Sequence, residues 1–313
     1  MRIQKILMPT DFSECSKAAF DHALFLAQKY GAELHLFHAV ELNGRAAKDF
    51  EAAYPSFEEI SSRLDAIARS EMGKLIDRSS GDVLHIREVE RSTIAAAPSI
   101  VHYAKRQDVD LIVMGTHGLR GFRRWLLGSV TEEVLRTAPC PVLTIRDDEA
   151  AKGLRTLDRI LVPFDFSPDA QRSLEVAKVL AGDYGGSLDV AHITAPLIAA
   201  GGVIGAPIAG TAYPDLSEQI MAQLELVTRD EESELTLDTH VLVGPVAWRL
   251  VELAEEKGAR LIVIATRGLG GVQGFLLGGV TERVVRSAPC PVLVLRHGSD
   301  AADTSDRRSL PAP

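Results

Sequence analysis

Residues 6–13 of this chain read ILMPTDFS, and residues 160–167 read ILVPFDFS. Later stretches recur in the same order: DLIVM at 110–114 returns as RLIVI at 260–264, and APCPVL at 138–143 returns at 288–293. The offset between copies is 154 residues early in the repeat and 150 late. A period of this length is that of a whole domain, since solenoid repeats are only about 20–50 residues long. The chain therefore consists of a duplicated domain.

Short apolar runs alternate with helical patterns inside each copy. Strands that are apolar throughout, separated by helices, are typical of a parallel sheet covered on both faces. Ligands of such sheets bind beyond the carboxyl ends of the strands, so chemistry is expected in the loops after residues 8, 40 and 114. In the first copy we predict strands at 3–8, 33–40, 84–89, 110–114 and 141–145, and helices at 14–30, 56–78, 94–107 and 129–137.

The composition of the chain argues against several classes of protein. The 313 residues are 46% hydrophobic and 25% charged, which suits two globular cores. Acidic residues outnumber basic ones by 43 to 34, a balance that argues against general nucleic-acid binding. Three cysteines are too few for a disulfide framework, and the first residues lack the apolar core of a signal peptide. We expect a cytoplasmic protein with neither a nucleic acid nor a membrane as partner.

One stretch tests the prediction that no membrane is involved. Residues 190–214 carry no charged side chain and are long enough to cross a bilayer. Because they contain three prolines and four glycines, they would form a poor spanning helix, and we predict a loop. We place the two domains at 1–147 and 157–297, and expect a disordered tail at 298–313.

A glycine-rich segment follows the fourth predicted strand. GTHG at 115–118 is separated by nine residues from Gly128-Ser129. Glycine allows backbone to approach a ligand closely, and the first N–H groups of the helix expected at Ser129 are free to bind an anion. This arrangement predicts a phosphate site, to which His117 and the intervening basic side chains would contribute. Those basic side chains are Arg120, Arg123 and Arg124.

Purely structural interpretations remain open. Ser129 and Glu132 have the spacing of a capping box, which needs no ligand. Asp11 and Asp165 follow the first strand of each copy, where they could accept hydrogen bonds from a ribose hydroxyl or an adenine amine. Either could equally be an acidic residue that favours a helix N-terminus, with Ser13 and Ser167 as N-caps. Two familiar phosphate motifs are absent: no Gly-Lys-Ser/Thr occurs, and Pro-Thr-Asp follows the first strand instead of a dinucleotide fingerprint.

Together, these motifs resemble those of the universal stress protein family. Gly115, Gly118, Gly128 and Ser129 satisfy the family's Gly-x-x-Gly-x9-Gly-Ser/Thr pattern, and the resemblance covers about residues 3–146 and 158–296. It implies two doubly wound, open, parallel five-stranded sheets with helices on both faces. This α/β architecture is Rossmann-like and similar to that of the adenine nucleotide alpha hydrolases.

The resemblance also implies a nucleotide site in the first domain. ATP would lie with its adenine and ribose near Asp11 and the apolar end of the second strand, and with its phosphates on the glycine segment. Mg²⁺ or Mn²⁺ would be held by the nucleotide and water, because the sequence has no metal-ligand cluster, and no catalytic residue is implied. The implied nucleotide-binding residues are Pro9, Thr10, Asp11, Ala39, Val40, Met114, Gly115, His117, Gly118, Arg120, Gly128, Ser129, Val130 and Thr131.

The second copy departs from this pattern. Ala265 replaces the first glycine of the motif, and its methyl group is expected to crowd the approach of a ligand. Gly279 replaces the serine, which removes a hydroxyl group, and Phe164 stands where the first copy has Thr10. We therefore expect a weaker second site, or none, made by Asp165, Gly268, Gly278 and Gly279.

Three functions are compatible with these residues. The first is a stress-response sensor or regulator that binds an adenine nucleotide. The second is a slow ATPase or phosphotransferase that uses the same pocket, and the third is an interaction protein that binds no nucleotide. The resemblance also implies that the last strands, 141–145 and 291–295, pair as an intramolecular pseudo-dimer. A homodimer of the whole chain and a regulatory protein partner are further expectations.

Overall fold

The structure is a computed structural model that describes residues 2–41, 57–77, 85–93, 95–118, 127–146, 154, 156–194, 214–229, 235–266 and 277–296. The predictions for Arg120, Arg123, Arg124 and Gly268, for the tail, and for residues 195–213 of the uncharged stretch lie outside these residues. Residues 190–194 of that stretch belong to a strand, so the loop predicted at 190–214 begins too early. The chain divides into two compact units: unit 1 ends at Arg155, and unit 2 comprises Thr156–His297.

Unit 1 is a five-stranded sheet in the order β3-β2-β1-β4-β5. All of its strand pairs are parallel. Its strands are β1 (Lys5–Thr10), β2 (Glu33–Glu41), β3 (Ile86–Thr93), β4 (Leu111–Gly115) and β5 (Val142–Ile145), and its helices are α1 (Glu14–Tyr30), α2 (Phe57–Asp77), α3 (Ala96–Arg106) and α4 (Ser129–Thr137).

Unit 2 repeats this topology, with the strand order β10-β9-β6-β7-β8 and parallel pairing throughout. Its strands are β6 (Arg159–Pro163), β7 (Ser187–Thr194), β8 (Leu237–Val243), β9 (Leu261–Ala265) and β10 (Val292–Leu295), and its helices are α5 (Pro168–Tyr184), α6 (Pro214–Thr228), α7 (Val246–Lys257) and α8 (Gly279–Ser287). The predicted doubly wound α/β fold is confirmed in both units.

The strand order of unit 1 defines where a ligand can bind. β1 lies between β2 and β4, so the chain moves outward to one edge of the sheet before it returns to the other side of β1. The crevice at such a reversal, beyond the carboxyl ends of the strands, is the usual ligand site of open α/β sheets. Thr10 at the end of β1 and Gly115 at the end of β4 therefore border the expected crevice.

Local sequence signals explain the core elements. Ile6, Leu7 and Met8 are fully buried in β1, as a strand covered on both faces requires. Ser13 is the N-cap of α1, where its hydroxyl accepts the N–H of Ser16, and Gly31 ends the helix with a left-handed φ of 61°. Ser167 caps α5 in the same way, so both predicted serine caps are confirmed.

β3 differs most from its predicted bounds. The apolar pattern predicted a strand at 84–89, whereas β3 runs from Ile86 to Thr93. It is the edge strand of unit 1, and Arg87 and Glu88 are exposed. Charged residues are common on edge strands because they discourage pairing with other chains, and they also hide the strand from an apolar pattern.

Among the helices of the described residues, none has both the length and the apolar character needed to cross a bilayer.

A buried histidine joins α1 to the chain that follows β5. His22 is 3% exposed, and its Nδ1 accepts the backbone N–H of Leu154 at 3.3 Å. Burial lowers the pKa of His22 from 6.5 to about 4, because the charged imidazolium would lose its hydration. The hydrogen bond from Leu154 requires the same neutral form of the ring.

This histidine predicts acid sensitivity of the folded state. Between about pH 6.5 and 4 the unfolded chain binds the His22 proton and the folded chain does not, so stability declines as the pH falls. We expect the loss from this group to be about 1.5 kcal/mol between pH 6.5 and 5. His22→Asn keeps an acceptor for Leu154 and does not titrate, so urea unfolding at the two pH values should show that much less pH dependence. Equal pH dependence in the two proteins would contradict the prediction.

Candidate functional site

The turn between β1 and α1 fixes the acidic side chain at the carboxyl edge of unit 1. Oδ1 of Asp11 accepts the N–H of Ser13 at 3.1 Å, and the hydroxyl of Thr10 accepts the N–H of Phe12 at 3.0 Å. The hydroxyl of Ser13 in turn accepts the N–H of Ser16 at 3.2 Å. The Asp11 carboxylate is therefore held by the local backbone at the end of β1.

The same carboxylate reaches the glycine segment that follows β4. A Cβ atom added to Gly118 would lie 2.1 Å from Oδ2 of Asp11, a separation that real Cβ atoms do not show. The space normally taken by a side chain at position 118 is thus filled by the Asp11 carboxylate. Two motifs that are far apart in the sequence meet here, and a Cβ atom at 118 would have to displace the Asp11 carboxylate or the backbone that carries it.

The N-terminus of α4 has no side-chain cap. The N-cap is Gly128, with φ −66° and ψ 140°, and no side chain makes the capping hydrogen bond. The N–H of Glu132 donates to the Gly128 carbonyl at 2.9 Å, which places Ser129 inside the first turn. The capping-box interpretation is therefore wrong, because Ser129 is the first helical residue and not the N-cap. The free N–H groups of this first turn are suited to an anion.

Two hydrogen bonds tie the end of β4 to the start of α4. The buried hydroxyl of Thr131 donates to the Gly115 carbonyl at 2.8 Å, and the N–H of Gly128 donates to the Thr116 carbonyl at 2.8 Å. Thr131 therefore uses its proton inside the protein. These bonds bring the two halves of the glycine motif together.

The lack of a side chain at Gly115 allows α1 to pack closely against β4. A Cβ atom added there would lie 2.8 Å from Sγ of Cys15, and the backbone of Cys15 is nearly as close. The Cys15 thiol is buried and donates to the Ile145 carbonyl at 3.2 Å. The corresponding residue of unit 2, Ala265, is buried, and the expectation that its methyl group crowds a ligand stays a prediction.

The other predicted residues of the first site lie around this crevice. His117 is half-buried, and its Nδ1 lies 3.2 Å from the Thr116 hydroxyl, while Ser129 is exposed. β1 and β2 pair with Thr10 opposite His38, which places the end of β2 beside the end of β1. Pro9, Thr10, Val40 and Met114 are buried, and Ala39, Gly118, Gly128 and Val130 are half-buried.

Sequence reasoning did not predict the ring contact that His38 makes with Phe12, the residue after Asp11. Nδ1 of His38 donates to the Thr10 carbonyl at 2.8 Å, and the imidazole centroid lies 4.6 Å from that of Phe12. The repeat does mark this position, because His192 is its equivalent in the second copy, and the pair is predicted to be packed or hydrogen-bonded and not catalytic. The structure shows that hydrogen bond in both units, whereas the sequence did not indicate its partner.

Unit 2 builds the same backbone framework. Oδ1 of Asp165 accepts the N–H of Ser167 at 3.1 Å, and Gly278 is the N-cap of α8 without a side-chain cap. The hydroxyl of Thr281 donates to the Ala265 carbonyl at 2.8 Å. A Cβ atom added to Gly279 would have no atom within 4 Å. Position 279 therefore has room for a side chain, and packing does not require glycine there.

Within the ranges that the structure describes, no group of three or more His, Cys, Asp and Glu side chains could hold a metal ion.

Comparison with known proteins places the chain in a family. The sequence model of the universal stress protein family matches residues 2–146 and 156–296. A universal stress protein of Methanocaldococcus jannaschii is 33% identical over 143 residues, which cover 46% of this chain and 82% of the relative. A universal stress protein of Mycobacterium bovis is 27% identical over 312 residues. The alignment covers 95% of this chain and 96% of the relative. A crystal structure of a universal stress protein from Archaeoglobus fulgidus aligns with 95% of this chain and 100% of its own, with a TM-score of 0.67 at 22% identity. The chain belongs to the universal stress protein family.

Proposed function

We propose that unit 1 binds an adenine nucleotide, with ATP as the foremost candidate, and that the protein acts as a nucleotide-dependent sensor or regulator in the stress response. The observation that carries this proposal is the contact between Asp11 and Gly118. It puts a hydrogen-bond acceptor for ribose or adenine against a backbone segment that leads to an uncapped helix N-terminus. One crevice thus offers partners for both ends of a nucleotide.

The phosphate end of the ligand would lie at α4. The N–H groups of Ser129 and Val130 belong to the first turn of this helix, where the helix dipole favours an anion. The exposed Ser129 hydroxyl adds a donor, and His117 lies on the same segment as Gly118. Backbone donors suit a flexible polyphosphate because they are held in place before it binds.

The nucleoside end would lie at the ends of β1 and β2. The Asp11 carboxylate accepts hydrogen bonds from hydroxyl or amine groups, and Ala39 and Val40 at the end of β2 supply apolar surface for a base. Met114 is buried near the end of β4, on the other side of β1. A divalent cation would be bound by the nucleotide and water.

We assign the main site to a domain at 1–147 and a weaker one to a domain at 157–297. Unit 2 keeps Asp165 and the uncapped α8, so its backbone resembles that of unit 1. Gly279 gives it one phosphate donor fewer, since a hydroxyl is lost relative to Ser129. A lost hydrogen bond to a charged group weakens binding by about 10-fold or more.

Extraction of bound nucleotide tests the proposal. The purified protein is denatured, the released nucleotide is identified by mass, and its amount is divided by the amount of chain. We expect about one adenine nucleotide per chain, held by the main site. An extract without nucleotide, together with no heat of binding when ATP is titrated into the protein, would overturn the proposal. Recovery of ADP alone would direct the next assay to slow hydrolysis.

A further inference from the structure

The turn after the first strand has the same unusual backbone in both units. Phe12 has φ 64° and Phe166 has φ 63°, both in the left-handed region that side chains with a Cβ atom disfavour. Such a conformation persists only where surrounding contacts hold it, and it is found most often at functional sites. Its presence in both units calls for a contact that both share.

A histidine from the neighbouring strand makes that contact in each unit. Nδ1 of His38 donates to the Thr10 carbonyl at 2.8 Å, and Nδ1 of His192 donates to the Phe164 carbonyl at 2.8 Å. The ring centroids of His192 and Phe166 are 5.0 Å apart, close to the 4.6 Å between His38 and Phe12. The imidazole thus binds the carbonyl of the residue before the aspartate and contacts the phenylalanine ring of the residue after it.

Comparison of the two units separates this contact from a competing explanation. In unit 1 the Thr10 hydroxyl accepts the N–H of Phe12 and could by itself stabilise the turn. Unit 2 has Phe164 at this position, without a hydroxyl, and yet the φ of Phe166 differs by only 1°. What the turns share is the histidine and the hydrogen bond that the serine N–H donates to the aspartate, at 3.1 Å in each unit.

We infer that His38 is a positioning residue for the nucleotide site of unit 1, an inference that rests on the proposed function for its ligand. Its Nδ1–H fixes the Thr10 carbonyl, and its ring supports Phe12 in the left-handed conformation. Between these two points lies Asp11, whose carboxylate is thereby kept against Gly118 and ready to accept the nucleoside. His38 acts through Asp11 and not through the phosphates.

The test compares three variants of the full-length chain by calorimetric titration with ATP and with adenosine. His38→Leu removes the donor, whereas His38→Asn keeps an N–H at nearly the same distance from the backbone. Leu75→Ala removes a buried side chain of α2 that is not part of the site. This variant controls for general destabilisation of the fold. Ser129→Ala serves as the comparison at the phosphate end.

We expect His38→Leu to weaken ATP and adenosine by the same factor, about 10-fold, because the loss is at the nucleoside end. His38→Asn should recover most of that loss, and Leu75→Ala should bind as the wild type does. Ser129→Ala should weaken ATP and leave adenosine unchanged. Unchanged binding by His38→Leu, a loss confined to ATP, or failure of His38→Asn to rescue would overturn the inference.

A crystal structure of His38→Leu separates this inference from the proposed function. If the wild type binds neither ligand, the proposed function fails, and the position of the carboxylate then decides the role of His38. We expect the Asp11 carboxylate to move away from Gly118 by about 1 Å or more, since its supports are lost. A carboxylate in the wild-type position would overturn the inference.

Discussion

The Gly118→Ala variant is expected to lose nearly all retained nucleotide, with an affinity for ATP about 100-fold below that of the wild type. The new Cβ atom would lie 2.1 Å from Oδ2 of Asp11, so one of the two groups must move. The carboxylate is held by the Ser13 N–H, and the backbone at 118 follows directly from β4. Displacement of either one separates the nucleoside acceptor from the phosphate segment, and both ends of the nucleotide can no longer bind together.

Two further variants test whether the loss of affinity comes from the contact between position 118 and Asp11. Gly182→Ala adds the same methyl group inside α5, where no atom lies within 4 Å, and it should retain nucleotide as the wild type does. Asp11→Ala removes the group with which the new methyl clashes. In that background Gly118→Ala should cost little further affinity, because two changes in one contact are not additive. Fully additive losses, or full binding by Gly118→Ala alone, would contradict the interpretation.

The largest expected loss of stability is in unit 2, where Asp189→Ala should lower the free energy of unfolding by about 3 kcal/mol. Asp189 is fully buried in β7, and its Oδ1 accepts the Nε2–H of His240 at 2.7 Å. Its Oδ2 lies 3.4 Å from the Arg159 guanidinium, an ion-pair distance without a hydrogen bond. The substitution leaves the Nε2–H of His240 without its acceptor, removes the nearer carboxylate from Arg159, and opens a cavity among strands.

Tryptophan fluorescence can measure this loss in one unit. The chain has two tryptophans, Trp125 in unit 1 and Trp248 in unit 2. In a Trp125→Phe background, urea unfolding followed at Trp248 therefore reports on unit 2. Asp238→Asn is the matched control on β8: its carboxylate is half-exposed and 3.7 Å from Arg159, so its loss should cost below about 1 kcal/mol. An Asp189→Ala variant as stable as this control would refute the assignment.

Much of the fold was predictable because its signals are local. The caps at Ser13 and Ser167 depend on hydrogen bonds to N–H groups three residues away. The stop at Gly31 depends on the left-handed conformation of a single residue. Buried strands such as β1 are recognisable because a strand covered on both faces must be apolar throughout.

Other predictions failed where one local pattern fits two structures. Ser129 and Glu132 have capping-box spacing whether the helix begins at Ser129 or one residue later, and only the backbone at Gly128 distinguishes these. The glycine motif likewise does not reveal what each missing side chain makes room for. Gly115 makes room for Cys15 and Gly118 for Asp11, and both partners come from the start of the chain.

The duplicated α/β domain and the glycine motif of its first copy are predictable from the sequence alone, because repeats, strand periodicity and helix caps depend on neighbouring residues. Which residues share the site depends instead on how the strands are arranged in space. The strand order places β1 between β2 and β4, so that Asp11 meets Gly118 from one side and His38 supports the same turn from the other. Such contacts depend on the packing of the whole sheet, and no local sequence pattern predicts them.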